Sequence, residues 1–127
     1  MVLGRRELMA ASLALPFAGA AAGGAWTRPA GFVPDASIPL WPGGHIKPPP
    51  GLSEEIVQRS DDPDASDRML QHITRPRLDI FRPDKPNGAA VILAPGGGYR
   101  YVVIDKEGYE LARWLKARGV TVYVLFY

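Results

Sequence analysis

The apolar positions near the C-terminal end of the chain fall into three successive patterns. Residues 89–94 are apolar without polar alternation, as expected for a strand that is covered on both faces. Residues 106–118 place Tyr109, Ala112 and Leu115 at helical spacing, with Asp105 available as a cap and Gly119 as the stop. Residues 120–127 form a second apolar run. Strand, helix and strand in this order predict a βαβ unit with two parallel, neighbouring strands.

A shorter strand pattern precedes this unit. Residues 77–81 alternate between apolar and polar positions, and Pro76 and Pro83 flank them. Because proline cannot donate to a sheet ladder, the flanking prolines predict an edge or near-edge strand. The pair Asn87-Gly88 predicts a turn with positive φ between this strand and the next.

Residues 53–67 are polar and rich in acidic side chains, which predicts a solvated surface turn. Asp62, Asp64 and Ser66 have the alternate spacing of a calcium-binding loop. The pattern then fails, because Asp67 stands where the loop needs glycine and Ile73 where it needs a bidentate glutamate. No calcium site is expected here.

The segment from residue 23 to residue 52 is predicted to be a proline-rich arm. Its seven prolines are Pro29, Pro34, Pro39, Pro42, Pro48, Pro49 and Pro50. Proline fixes φ and removes an N–H donor, so neither a helix nor a central strand is expected. The apolar Ile38, Leu40 and Trp41 indicate an arm that lies against the domain, with Trp41 packed onto it.

The first 22 residues have the pattern of a signal peptide. Arg5 and Arg6 precede a mostly apolar, alanine-rich stretch, and small residues follow as a cleavage site. The adjacent arginines indicate the twin-arginine route, so we expect a periplasmic or secreted protein. The stretch is shorter than the roughly 20 residues of a membrane-spanning helix, so no stable span is expected.

Composition narrows the possible functions further. The formal net charge is only +2 and forms no basic stripe, which argues against nucleic-acid binding. The chain has no cysteine, which excludes disulfides and thiolate chemistry. No pattern calls for a metal or an organic cofactor. The length allows one domain at most.

The glycine-rich loop Pro-Gly-Gly-Gly-Tyr, residues 95–99, is the strongest candidate for chemistry. A dinucleotide site is disfavoured, because Tyr101 stands in the place of the last glycine of that fingerprint. A P-loop is excluded, because no Gly-Lys-Ser/Thr follows. An oxyanion hole fits a glycine loop between a buried strand and a helix. A purely structural turn remains the alternative.

Taken together, these motifs resemble the N-terminal part of an α/β-hydrolase. The resemblance is to exported acetylxylan-esterase-like and lipase-like hydrolases. It rests on Leu-Trp-Pro-Gly-Gly at 40–44, the loop at 95–99, the helix at 107–115, and a strand ending in Phe126-Tyr127. It implies that residues 53–127 form an incomplete α/β-hydrolase sheet, with the first strands, the oxyanion loop and the first helix.

The same resemblance implies a function. Gly97 and Gly98 would donate the oxyanion-hole N–H groups, and Tyr99 would bind substrate near the acyl pocket. The parent protein would be a serine carboxylic-ester hydrolase, with acetylated plant polysaccharide as the candidate substrate. The alternative from another class is a non-catalytic carbohydrate-binding or scaffold protein on a hydrolase-like fold.

The nucleophile and its base are expected outside this sequence. The nucleophile of this fold lies in a G-x-S-x-G elbow, followed by an acid and then a histidine. The serines without that context are Ser12, Ser37, Ser53, Ser60 and Ser66. His45 and His72 precede the glycine loop and are interpreted as surface or packing residues. We therefore expect the triad to lie beyond residue 127 and the 127-residue chain alone to be inactive.

Overall fold

A computed structural model describes residues 33–43, 47–62 and 65–127. The predicted signal peptide, Ser12, the first part of the arm and His45 lie outside these residues. The elements in chain order are β1 (Ala36–Pro39), β2 (Glu55–Gln58), β3 (Arg68–Gln71), β4 (Arg77–Phe81), β5 (Ala90–Leu93), β6 (Val102–Val103), a π-helical segment (Asp105–Tyr109), α1 (Glu110–Lys116) and β7 (Thr121–Phe126). The described part is thus a mixed arrangement of β-sheets with one short helix.

The predicted βαβ unit is confirmed. β5 and β7 are parallel neighbours, with Val91 opposite Val122, and the helix connects them. Gly119 ends the helix with a φ of +82°, in the left-handed region that favours glycine. Gly88 has a φ of +88° and forms the predicted turn before β5.

β7 is an inner strand of a four-stranded sheet with the order β1-β4-β7-β5. β4 pairs antiparallel with β7 on one side and with β1 on the other. The prediction of a near-edge strand at residues 77–81 is therefore confirmed. β1 comes from the proline-rich arm and occupies the edge, where Pro39 does not interrupt a central ladder.

A second sheet has the order β2-β3-β6 and was not predicted. It corrects the interpretation of residues 53–67 as a solvated turn, because β2 lies within them and Asp67 is buried. The Asp67 carboxylate accepts hydrogen bonds from Arg59 Nη2 at 2.8 Å and Lys106 Nζ at 2.7 Å. These cations let an acidic residue enter the interior, where an unpaired charge is unfavourable.

The two sheets share one core. Phe81 and Phe126 from the first sheet and Leu70 and Val102 from the second are almost fully buried. Tyr109 packs edge-on against Phe81, with ring centroids 5.0 Å apart. This packing fixes the helix against the first sheet, so the glycine loop between β5 and the helix is held at both ends.

Two burial predictions are wrong. Trp41 is 45 % exposed and is not packed down onto the domain. β5 is not covered on both faces, because Ile92 is 65 % exposed and the strand lies at the edge of its sheet. An apolar run indicates that a strand can be buried. Whether other elements cover both of its faces depends on tertiary packing.

The start of the helix also differs from the prediction. Asp105 makes no capping hydrogen bond and begins a π-helical turn, in which the Tyr109 N–H bonds to the Ile104 carbonyl at 2.8 Å. Its buried carboxylate instead accepts hydrogen bonds from the Arg68 side chain at 2.9 Å and the Ser66 hydroxyl at 2.6 Å. Asp105 therefore joins the helix to β3 rather than capping it.

This ion pair predicts a loss of stability in acid. Burial acts to raise the pKa of Asp105, but the hydrogen bonds from Arg68 and Ser66 hold it below the usual 3.8. A lowered pKa in the folded state stabilises the fold above about pH 4, and this contribution is lost as the pH falls below that value. Asp105→Asn should lower the free energy of unfolding by about 2 kcal/mol at pH 7. Melts from pH 7 to pH 2.5 measure this, with Asp84→Asn in an exposed turn as the control. If Asp105→Asn lowered the free energy of unfolding equally at pH 7 and at pH 2.5, the prediction would be contradicted.

Candidate functional site

The glycine loop leaves the C-terminal end of β5 and makes a tight turn. The Arg100 N–H donates to the Gly97 carbonyl at 3.2 Å. The two central residues both have positive φ, 62° for Gly98 and 61° for Tyr99. Two positive φ values in succession are the feature of a type I′ turn. This geometry exposes the backbone at Gly98 and Tyr99.

Gly97 is required by close packing. A Cβ at this position would lie 1.7 Å from the Tyr101 carbonyl oxygen, well inside any allowed contact. Gly98 differs, because a Cβ there would meet no atom within 4 Å and only its φ favours glycine. A purely structural turn would therefore require glycine at Gly97 because of the close contact, and would favour glycine at Gly98 because of its positive φ.

The start of the loop is anchored from three elements. The Gly96 N–H donates to Glu107 Oε2 at 2.7 Å, and the Gly96 carbonyl accepts from the Val103 N–H at 3.0 Å. The Tyr127 hydroxyl donates to the Pro95 carbonyl at 3.1 Å. The π-helical segment, β6 and the end of β7 therefore hold the loop in place. The role of Glu107 in the loop was not predicted, since only its helix-terminal position is visible in the sequence.

Three consecutive N–H groups of the loop, those of Gly97, Gly98 and Tyr99, are free donors. None of them donates a hydrogen bond to any residue in the part of the chain that the structure describes. Gly98 is exposed and Gly97 is partly exposed, so a ligand can reach this backbone. Consecutive donors without acceptors, on a loop that is fixed at its start, suit a small negatively charged group.

Tyr99 lies beside these donors with its side chain fully in solvent, at 106 % of the reference exposure. It lines a cleft of about 310 Å³ together with His72, Arg100 and Tyr127. His72 is exposed, which agrees with its interpretation as a surface residue. It also borders the cleft. Sequence reasoning did not bring His72, Arg100 and Tyr127 together, because they come from three separate segments.

The described residues bring no nucleophile and base together. The Ser66 hydroxyl donates a hydrogen bond to Asp105, and the Ser60 hydroxyl accepts one from the Asp62 N–H at 3.1 Å. No hydrogen bond between a serine and a histidine is found in residues 33–43, 47–62 and 65–127. The described site therefore supplies hydrogen-bond donors and a cleft, without a group placed to attack an ester.

The hydroxyl of the half-buried Tyr109 does not serve as an acid or base near neutral pH. It donates to Asp79 Oδ2 at 2.6 Å. Burial and the hydrogen bond to Asp79 raise the pKa of Tyr109 far above its usual value of 10. The phenol therefore stays protonated, and its bond to β4 is a structural link between the helix and the sheet.

Two other features are absent from the described residues. No group of three or more histidine, cysteine or acidic side chains that could hold a metal ion occurs in the described ranges. The described part of the chain also contains no helix with the length and apolar character needed to cross a membrane.

Among known proteins, the chain is similar to an acetylxylan esterase from Xylanibacter ruminicola. The two sequences are 38 % identical over 51 residues, which is 40 % of this chain and 11 % of that esterase. The chain thus corresponds to only a small part of the length of this relative. The similarity indicates a relationship to esterases over that short stretch. No protein-family model matches the chain, and no solved structure is a significant match.

Proposed function

We propose that this chain supplies the oxyanion hole of a serine carboxylic-ester hydrolase with an α/β-hydrolase fold. Gly97 and Gly98 would donate their N–H groups to the negative oxygen of the tetrahedral intermediate. Tyr99 would contact the substrate at the edge of the same site. The serine, histidine and acidic residue would come from polypeptide outside these 127 residues.

One observation carries the proposal. The N–H groups of Gly97 and Gly98 have no acceptor among the described residues, on a loop that connects β5 to β6 and is anchored at its start. Such preorganised donors stabilise charge that develops in the transition state, at no cost of reorganisation. A type I′ turn leaves the N–H groups of its two central residues free, so the support for the proposal is their position on a loop that is anchored at its start. The partial similarity to an acetylxylan esterase supports the same reaction class.

The substrate class and the location of the protein follow as parts of this proposal. The similar protein is an esterase of acetylxylan, so acetylated plant polysaccharide is our proposed substrate. Such a polymer is outside the cell, and the arginine pair before an apolar N-terminal stretch suits export to the periplasm or beyond.

An ester-cleavage assay tests the proposal. The 127-residue chain should not hydrolyse p-nitrophenyl acetate, because an oxyanion hole without a nucleophile stabilises an intermediate that nothing generates. The longer hydrolase that carries this segment should hydrolyse it, and a serine-directed fluorophosphonate should abolish that turnover. A longer protein that binds acetylated xylan without cleaving any ester would instead favour the non-catalytic alternative.

A further inference from the structure

Two residues with unfavourable backbone conformations meet at the cleft beside the glycine loop. His72 and Tyr99, with φ values of 52° and 61°, are the non-glycine residues of positive φ in the described ranges. Both line the same cleft. A Cβ makes this region unfavourable, and residues held in it cluster at functional sites. Their meeting at one cleft points to a role there.

Side-chain packing does not explain the conformation of Tyr99. Its ring is fully exposed, so no described contact of the side chain offsets the unfavourable φ. His72 is exposed as well. An aromatic ring that is held in solvent on a strained turn is placed to contact something other than its own fold.

The cleft is half open to solvent and has room for a small ring. Its floor contains the buried Leu70 and Val102, and its rim includes Tyr99, Tyr101 and Tyr127. Its volume of about 310 Å³ is at the lower end of the range for ligand pockets. One face of Tyr101 is covered by the Arg59 guanidinium, 5.9 Å from the ring centroid. An apolar floor and a rim of tyrosine rings suit a flat ring.

The side chain of Arg100 brings a positive charge to the cleft. Arg100 lines it, and its guanidinium makes no ion pair or hydrogen bond with the residues that the structure describes. Arg59, Arg68 and Arg77 differ, since each pairs with a carboxylate. No acidic residue is among those that line the cleft. An unpaired guanidinium favours a carboxylate, which it can bind through two parallel hydrogen bonds.

We propose that this cleft binds a planar aromatic ring that bears a carboxylate. Arg100 pairs with the carboxylate, and the rings of Tyr99 and Tyr127 contact the ring of the ligand. The site borders the proposed oxyanion hole but concerns binding alone. It shares Tyr99 with the proposed esterase site, and a binding measurement without any ester distinguishes its failure from a failure of the esterase proposal.

Binding to the 127-residue chain tests this directly. Benzoate, benzamide and acetate are titrated at constant ionic strength, and binding is followed by calorimetry and by amide chemical shifts. Benzoate should bind more tightly than benzamide, which lacks the charge, and than acetate, which lacks the ring. Equal affinity for all three ligands, no binding, or a chain with only random-coil amide shifts would overturn the proposal.

Variants separate the two contacts. Arg100→Gln should weaken benzoate binding roughly tenfold and leave benzamide binding unchanged. Arg75→Gln, which alters an exposed arginine elsewhere, is the matched control and should bind benzoate as the wild type does. Unchanged benzoate binding in Arg100→Gln would contradict the assignment.

Tyr99→Gly distinguishes a role of Tyr99 in binding from a role in stability. Removing the ring should weaken benzoate binding, whereas relief of the unfavourable φ should raise the melting temperature by about 4 °C. A tyrosine kept for stability would show the opposite change in melting temperature. A lower melting temperature, or benzoate binding equal to that of the wild type, would remove Tyr99 from the site.

Discussion

Proline at position 98 should lower the ester-hydrolysis rate of the proposed longer hydrolase by about a hundredfold or more. Gly98→Pro removes an N–H that we assign to the oxyanion hole. It also conflicts with the φ of +62°, because the proline ring holds φ near −65°. The loss should appear in kcat, since the oxyanion forms only after the substrate is bound. Steady-state kinetics with p-nitrophenyl acetate measure it.

Two matched variants separate the lost donor from backbone strain. Gly88→Pro imposes a similar conflict at a φ of +88° on an exposed turn away from the loop, and kcat should stay near the wild-type value. Gly98→Ala keeps the N–H and meets no atom within 4 Å, so most of the rate should survive. If Gly98→Pro retained the wild-type rate, the assignment of Gly98 would be wrong.

Gly97→Ala should destabilise the fold more than a glycine-to-alanine substitution at any other position of the loop. The new Cβ would lie 1.7 Å from the Tyr101 carbonyl oxygen and 2.9 Å from its ring, so the backbone itself has to move. We expect Gly97→Ala to lower the free energy of unfolding by about 3 kcal/mol, at the upper end of overpacking costs. Urea denaturation of the 127-residue chain measures it.

Gly98→Ala is the control for this prediction too. Its Cβ enters open space, so only the positive φ opposes the substitution, at a cost of about 1 kcal/mol. If the two alanine variants were equally stable, the close approach of Gly97 to Tyr101 would not exist in solution.

The elements predicted from sequence are those formed by local patterns. β4, β5, the helix and β7 each have a run of residues with the period of one structure type and a turn signal at the end. The parallel pairing of β5 with β7 follows as well, because a helical connection between two strands leads to parallel neighbours, whereas the antiparallel pairing of β4 was not predicted.

The second sheet was missed because its strands have no such pattern. β2 has two polar and two apolar residues and is mostly exposed, and β6 has only two residues, Val102 and Val103. Ion pairs join the segments around this sheet, between Asp67 and both Arg59 and Lys106 and between Arg68 and Asp105. These partners lie up to 39 residues apart in sequence, too far for any local pattern to reveal.

At the candidate site, the sequence by itself determined where the glycine loop lies and that it follows a strand, whereas the short strand β6 between the loop and the helix was not predicted. Only the tertiary structure decided which N–H groups stay free, since Glu107 takes the donor of Gly96 and leaves those of Gly97 and Gly98. It also decided that His72 and Arg100 share one cleft. The physical reason is that glycine content is a local property, whereas a free donor and a cleft depend on residues that approach only when the two sheets pack together.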